Sequence, residues 1–350
     1  MKEVAEILNL WSEAERSGES ALLATVVKTQ GSSYRLPGAR LLLTRSGRRA
    51  GSVSGGCLED DILKRSWWLT ETGPVVRRYD TTPEGEIGSG YGLGCSGVVH
   101  ILLERLNPGQ ANVLTMIAGV RSSREPVEVG RVISPASEVT GDLLLGKSAA
   151  GLHGHERFFI ETLVPPLRLF VFGAGDDAVP LSAFASHLGW EVVVVDGRAH
   201  YARLEKFPLA DQVLVRSAAQ GLPTAIDEWT AAVMMSHSYS QDLSWLRELS
   251  TVGRKLAYLG ILGPAKRTRQ LIADAELELG TLLPALHSPM GLDIGADGPE
   301  QVALSVVSEI QAVINGRSGG SLRERSGSIH APMEDSRDEA TSWAKSIACV

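Results

Sequence analysis

Cysteines, aromatic residues and long apolar runs are all scarce in this sequence. Only three of its 350 residues are cysteines, and aromatic residues make up 5% of the chain. No segment approaches the ~20 consecutive apolar residues of a membrane span, and the N-terminal segment has neither the apolar run nor the cleavage site of a signal peptide. We therefore predict a cytoplasmic protein that does not enter a membrane, with Cys57, Cys95 and Cys349 as thiols rather than disulfides.

An excess of positive charge is also absent, because the formal net charge is -7. A surface that follows the phosphate groups of nucleic acid needs a concentrated basic face, so we predict no nucleic-acid partner. Hydrophobic residues make up 43% of the chain, which is enough to build one core in each of two domains of ordinary size.

Pro165 and Pro166 separate two different sequence patterns. Residues 1–165 contain strand-like segments broken by glycine-rich turns, together with two amphipathic helical segments, which predicts an α+β domain. Residues 166–317 alternate strand and helix signals, which predicts a Rossmann-like domain with a parallel sheet and an α/β fold class overall. Residues 318–350 are rich in serine, glycine and charge, so we predict a disordered tail.

The second domain carries a dinucleotide-binding fingerprint. Gly173, Gly175 and Ala178 form the pattern G-x-G-x-x-A between a predicted strand and a predicted helix, and Asp196 ends the next strand. Such glycines let the backbone approach a pyrophosphate, the helix N-terminus supplies unpaired N–H groups, and the acid accepts hydrogen bonds from a ribose. The pattern predicts Gly173, Gly175 and Asp196 as cofactor-binding residues and keeps NAD(P) as a candidate cofactor.

Two neighbouring acids oppose that interpretation. Asp176 and Asp177 occupy the positions where the phosphates would bind. Carboxylates there would satisfy the helix N-terminus themselves and would repel an anion. A Rossmann scaffold without a bound nucleotide and a nucleotide site therefore both stay open.

His237 ends a buried strand at the edge where an open parallel sheet places its ligands. It is a candidate general base or phosphate ligand that Asp293 could orient. The structural alternative is a histidine at a strand end that is held only by hydrogen bonds.

The segment GSVSGGCLEDD, residues 51–61, places Cys57 directly after Gly55 and Gly56, at the predicted start of a helix. Both glycines can adopt a positive φ and leave room for a ligand close to the backbone. A thiol at a helix N-terminus tends toward thiolate, although the three acids that follow oppose this shift. We favour a functional role for Cys57.

Cys95 lies in a second glycine-rich segment, with Gly94 before it and Gly97 two residues after it. Ordering so many glycines costs backbone entropy, and such loops often wrap an anion or a flat polar ligand. Cys57 and Cys95 are too far apart in sequence for a local C-x-x-C motif. A buried structural thiol is an equally weighted alternative for Cys95.

Several spaced motifs resemble the xanthine dehydrogenase accessory (XdhC/CoxI) family. They are GSSYRLPGARLLLT, GSVSGGCLED, GYGLGCSG, FGAGDDA, VVVVDGR and GLDIGADGPEQVALSVVSEI, and they extend from about residue 20 to Arg317. The chain departs from the family at Asp176, where members commonly have histidine, and at Ser96, where the family motif has glycine. The resemblance implies an XdhC/CoxI domain joined to a Rossmann domain.

The resemblance also implies a function. Members of the family are chaperones that bind the molybdenum cofactor, protect it while a cysteine desulfurase partner helps to install its sulfido ligand, and pass it to a molybdenum hydroxylase. The cysteine that the family associates with cofactor binding is Cys57 here, and a soft thiolate suits molybdenum. We predict such a chaperone, acting as a homodimer, with an NAD(P)-dependent oxidoreductase and a scaffolding protein without a small ligand as alternatives.

Overall fold

The computed structural model describes residues 2–31, 33–56, 58–80, 97–133, 140–145, 152, 155, 157–252, 255–276 and 285–325. Contacts within the chain divide it into two compact units, Met1–Pro165 and Pro166–Val350, which we call the N-terminal unit and the C-terminal unit. Cys57, Gly94, Cys95 and Cys349 lie outside the described residues, as do residues 326–350 of the predicted tail. Residues 318–325 are described, and they include a short 3-10 helix at Leu322–Glu324.

The N-terminal unit combines helices with antiparallel strands. Its described helices are α1 (Lys2–Arg16), α2 (Glu59–Leu69) and α3 (Val113–Ser123). Its described strands are β1 (Ala21–Gly31), β2 (Arg40–Thr44), β3 (Arg49–Gly51), β4 (Val75–Asp80), β5 (Gly97–Leu106), β6 (Val127–Val132), β7 (Leu143–Leu145) and β8 (Phe158–Leu163). They form a sheet of order β3-β2-β1-β5-β4 and a smaller sheet of order β7-β6-β8, which confirms the predicted α+β architecture.

The larger sheet is buried on both faces. Because side chains alternate along a strand, Leu23 of β1 packs with Trp11 of α1 on one face. Leu22 of the same strand packs with Ile62 of α2 on the other face. Full burial of one such leucine is worth about 2 kcal/mol. The two helices are therefore fixed against opposite sides of β1, and α2 begins close to the turn that ends the β2–β3 hairpin.

The C-terminal unit is a doubly wound parallel sheet. Its strands are β9 (Arg168–Phe172), β10 (Glu191–Asp196), β11 (Gln212–Val215), β12 (Thr230–Met234), β13 (Tyr258–Ile261) and β14 (Leu286–His287). Its α-helices in the described part are α4 (Ala178–His187), α5 (Tyr239–Ser250), α6 (Ala265–Asp274) and α7 (Pro299–Ile314). The strand order is β11-β10-β9-β12-β13-β14, which confirms the predicted Rossmann-like fold.

Helices cover both faces of this sheet. Leu181 of α4 and Val306 of α7 belong to the core on one face, and Trp245 of α5 and Leu271 of α6 belong to the core on the other. The strand order reverses between β9 and β12, so this fold places its ligands at the carboxyl ends of those two strands. Among the helices in the described ranges, none combines the length and the apolar character needed to cross a membrane.

Candidate functional site

The hairpin of β2 and β3 ends in a tightly packed glycine. Gly51 pairs with Leu41 across the hairpin, and its φ of 83° lies in the left-handed region. A Cβ atom at this position would come within 2.2 Å of the Arg40 carbonyl oxygen and 2.7 Å of the Ile7 Cδ1. Only glycine fits there, and the chain leaves the sheet at this point to form the loop of residues 52–56.

The carboxylate of Glu59 organises that loop. Its Oε1 accepts hydrogen bonds from the Ser52 hydroxyl at 2.9 Å, the Val53 N–H at 3.1 Å and the Ser54 N–H at 2.8 Å. Its Oε2 accepts from the Gly56 N–H at 3.1 Å and from the Ser54 hydroxyl. A single side chain from the first turn of α2 therefore fixes the loop that leads to position 57.

Ser54 completes this arrangement. Its Oγ accepts hydrogen bonds from the N–H groups of Gly56 and Leu58, each at 3.1 Å. The hydroxyl thus satisfies an orphan donor next to the start of α2, the role that a capping side chain plays at a helix N-terminus. The loop and the first turn of the helix form one hydrogen-bonded unit around Ser54 and Glu59.

Glu59 is 5% exposed, and its pKa reflects two opposing effects. Burial alone would raise the pKa, because a low dielectric disfavours the charged form. Hydrogen bonds from the side chain and backbone of Ser54 and from Ser52 outweigh burial, so the pKa of Glu59 lies below its usual value. The carboxylate is therefore ionised at neutral pH and serves as the internal anion of the loop.

A cleft of about 500 Å³ opens beside this loop. It is lined by aromatic, charged and small groups, among them Tyr34, Arg35, Arg49, Gly55, Gly56 and Asp60. The ring of Tyr34 is 71% exposed. A cleft of this volume accommodates a ligand the size of a cofactor fragment.

The predicted glycines of the N-terminal unit have different roles. Gly56 has a φ of 114°, whereas Gly55 is outside the left-handed region, so the expectation of a positive φ holds for Gly56 alone. Both line the cleft. Gly97 begins β5 and pairs with Gly31 of β1, and among the described residues it does not line the cleft. Cys57, Gly94 and Cys95 lie outside the described residues.

The glycines of the C-terminal unit make room for specific neighbours. Gly173 follows β9 with a φ of 120°, and a Cβ atom there would come within 2.5 Å of the Met235 carbonyl oxygen. A Cβ atom at Gly175 would come within 2.6 Å of Asp177 Oδ1. These contacts bring the turn after β9 against the chain that follows β12, at the switch point of the sheet.

Asp196 is already bonded within the chain. It is 1% exposed, and its carboxylate accepts from the Ala174 N–H at 3.0 Å. The Arg198 guanidinium binds both of its oxygens, with Nε at 2.9 Å and Nη2 at 2.7 Å. Burial raises the pKa of Asp196, but the hydrogen bonds from Arg198 and Ala174 hold it below the usual value. The predicted ribose-binding acid thus carries a fixed guanidinium as its partner.

Asp176 and Asp177 do not cap helix α4 as the sequence suggested. Asp176 is an exposed carboxylate whose Oδ1 lies 2.8 Å from Lys206 Nζ, and Lys206 also donates to the Ala174 carbonyl at 2.8 Å. Asp177 precedes α4 without a side-chain cap bond. Its Oδ2 lies 2.7 Å from His237 Nε2. The carboxylate that holds His237 is therefore Asp177, and the expectation that Asp293 would do so was wrong.

His237 is held in an unusual backbone conformation. Its φ of 54° lies in the left-handed region, which non-glycine residues adopt only when their surroundings impose it. Those surroundings are on both sides: the Ser236 hydroxyl contacts buried Asp242 at 2.6 Å, and the Ser238 N–H donates to the Ser236 Oγ at 3.1 Å. The structure therefore brings Gly173, Gly175, Asp177 and His237 together at the switch point.

Comparison with known proteins identifies the family. The sequence model described as the XdhC and CoxI family matches residues 14–80, and the model described as the XdhC Rossmann domain matches residues 169–310. A protein of Bacillus subtilis (strain 168) named as a probable xanthine dehydrogenase subunit is 32% identical over 321 residues, which are 83% of this chain and 92% of that protein. The chain belongs to the XdhC/CoxI family.

Two further relatives extend the likeness over most of the chain. A protein of Escherichia coli (strain K12) named molybdenum cofactor insertion chaperone PaoD is 27% identical over 312 residues, covering 88% of this chain and 87% of that protein. A crystal structure described as a xanthine dehydrogenase from Bacillus halodurans matches with a TM-score of 0.77 and 28% identity, covering 92% of this chain and 98% of that one. The resemblance found in the sequence is confirmed.

Sequence reasoning missed the groups that organise each site. Glu59 was interpreted only as a charge suited to a helix N-terminus, because a capping box joins a serine to an acid three positions later and Ser54 is five positions before Glu59. The Asp177–His237 contact joins residues 60 positions apart. No local pattern could reveal it.

Proposed function

We propose that this chain is a molybdenum cofactor insertion chaperone, which binds the cofactor as cargo and delivers it to a molybdenum hydroxylase of the xanthine dehydrogenase type. The observation that carries the proposal is the loop of residues 52–56, which Glu59 holds in place beside the cleft and which leads directly to Cys57. This loop lies in the region that matches the family. The likeness to a relative named as a cofactor insertion chaperone supports the same role.

Within this proposal, Cys57 is the residue that contacts the cargo. A thiolate is a soft ligand and suits molybdenum, and the family associates the cysteine of its S-G-G-C motif with cofactor binding. The second glycine-rich segment, with Gly94, Cys95 and Gly97, is proposed to wrap another part of the cofactor. These assignments rest on the sequence motifs and stay predictions.

The finer parts of the role follow from the family resemblance. A cysteine desulfurase partner would supply the sulfur of the terminal sulfido ligand while the chaperone holds the cofactor. A carrier must also release its cargo, so its affinity for the cofactor should be lower than that of the client hydroxylase. The homodimer and the cytoplasmic location stay predictions as well.

The test is a deletion strain grown with molybdate. We expect the client hydroxylase to be synthesised and folded but inactive, because the chaperone acts in delivery and not in the client's turnover. Wild-type protein supplied in trans should restore activity, and Cys57→Ala protein should not. Cys349→Ala is the matched control and should restore activity. Fully active hydroxylase in the deletion strain would show that the chaperone assignment is wrong.

The alternative of an NAD(P)-dependent oxidoreductase is weaker. The turn with Gly173 and Gly175 favours it. Against it, Arg198 already binds both oxygens of Asp196, and the Asp177 carboxylate lies at the start of α4, where a pyrophosphate would bind. We therefore propose that the C-terminal unit does not turn over a nicotinamide cofactor.

A further inference from the structure

The loop beside the cleft cannot supply the backbone donors that usually bind a phosphate. Glycine-rich loops bind anions through consecutive N–H groups. Here the N–H groups of Val53, Ser54 and Gly56 all point to the Glu59 carboxylate, at 3.1, 2.8 and 3.1 Å. An anionic ligand in the cleft must therefore be bound by side chains.

Two arginine side chains line the cleft, and they differ in their partners. Arg35 forms an ion pair with Glu3 of helix α1. Arg49 is exposed in strand β3, and within the described part of the chain its guanidinium makes no hydrogen bond or ion pair. Its backbone is fixed by the pairing of β3 with β2. A planar guanidinium on a rigid strand suits bidentate binding of a phosphate.

The other groups at the cleft define the second part of the ligand. The Tyr34 ring is 71% exposed and approaches Gly55, where an added Cβ atom would lie 4.0 Å from the Tyr34 Cδ1. An exposed ring of this kind offers a flat face to another aromatic system. Two carboxylates also line the cleft, Glu59 and Asp60. Glu59 is satisfied by the loop, so the exposed Asp60 is the acid that a bound anion must avoid.

We infer that Arg49 binds the phosphate of the cargo and that Tyr34 stacks against its flat ring system. The ligand class is a phosphate ester of a flat heteroaromatic molecule. The inference rests on the proposed function, because it assigns to these two side chains the pterin and phosphate parts of the same cofactor.

The experiment measures cofactor retention by the full chain. Wild type, Arg49→Ala, Arg49→Lys and Arg48→Ala are purified from cells supplied with molybdate, and the pterin is oxidised and quantified by fluorescence. Arg48 is the matched control: it neighbours Arg49, is exposed and pairs with Glu13, and it does not line the cleft. Melting curves check that each variant is folded.

We expect Arg49→Ala to retain pterin about tenfold less than wild type, as the loss of one charge-assisted hydrogen bond predicts. Arg48→Ala should match wild type, and Arg49→Lys should retain an intermediate amount because it keeps the charge without the planar fork. Washing the wild-type protein with inorganic pyrophosphate should release more pterin than washing with chloride of equal ionic strength.

The outcomes separate the two proposals. If wild type retains pterin and Arg49→Ala retains it equally, the assignment of Arg49 is wrong while the chaperone proposal stands. If pyrophosphate and chloride release equal amounts, the phosphate contact is likewise overturned. If wild type carries no pterin at all, the proposed function fails, and the assignment of Arg49 fails with it.

Discussion

Replacing Glu59 by glutamine should destabilise the N-terminal unit while keeping the shape of the side chain. Glutamine retains one acceptor oxygen, which can replace Oε1 toward Ser52, Val53 and Ser54. Its amide nitrogen then faces the Gly56 N–H, which is also a donor, so that bond is lost and the remaining ones lose their charge assistance. Loss of a hydrogen bond to a charged group, with a buried donor left unpaired, costs about 2–3 kcal/mol.

For a unit of this size the cost corresponds to a fall in Tm of roughly 5–10 °C. Differential scanning calorimetry of the full chain measures it. The matched control is Asp60→Asn, which removes the same charge from an exposed neighbouring position and should change the stability by less than about 0.5 kcal/mol. Equal Tm values for the two variants at pH 7 would refute the structural role of Glu59.

The pH dependence gives a second check with a defined sign. The pKa of Glu59 is lowered in the folded protein, so its stabilisation is fully present above the unfolded pKa of about 4.3 and is lost as the pH falls through the lower folded value. The Tm difference between wild type and Glu59→Gln should therefore be constant near neutral pH and decrease below about pH 4. A difference that increases on acidification would contradict this reasoning.

Two further predictions concern the remaining ionic groups. Because Arg198 binds Asp196 and Asp177 stands before α4, we expect NAD(H) and NADP(H) to bind weakly or not at all, and micromolar binding by calorimetry would contradict this. Arg131→Met should cost about 3–5 kcal/mol, since it leaves the buried Glu104 carboxylate unpaired. Adding Glu104→Leu should recover most of that loss in urea denaturation, and a double variant no more stable than the single one would show that the pair is not the cause.

The parallel sheet could be predicted from sequence because its signals are local. The strand beginning at Arg168, the glycines at 173 and 175 and the strand ending at Asp196 follow one another within a short segment, and each has a distinct apolar period or turn residue. Strand β4 was missed, since its sequence VVRRYD carries three charged residues among six. Helix α3 was missed although Asn112 caps it by accepting from Leu114 and Thr115.

The candidate sites were predictable only in part, for a related reason. Position 57 and the glycines before it form a contiguous motif, so the sequence points to that loop directly. The partners that fix it come from other places: Ile7 presses on Gly51 from α1, and Glu59 turns back from α2. Which of two acids would pair with His237 depended on side-chain directions at the switch point, and these follow from the packing and not from a spacing.

Helix α1 braces the cleft at two places, through the ion pair of Glu3 with Arg35 and through the contact of Ile7 with the site of Gly51. This has a practical consequence for handling the protein. Any peptide fused ahead of Lys2 extends from the end of the helix that holds Arg35, so an affinity tag placed there competes for space and charge with the cargo. A shortened α1 would lose Glu3 first, and it would free a second guanidinium at the cleft before it disturbed the sheet.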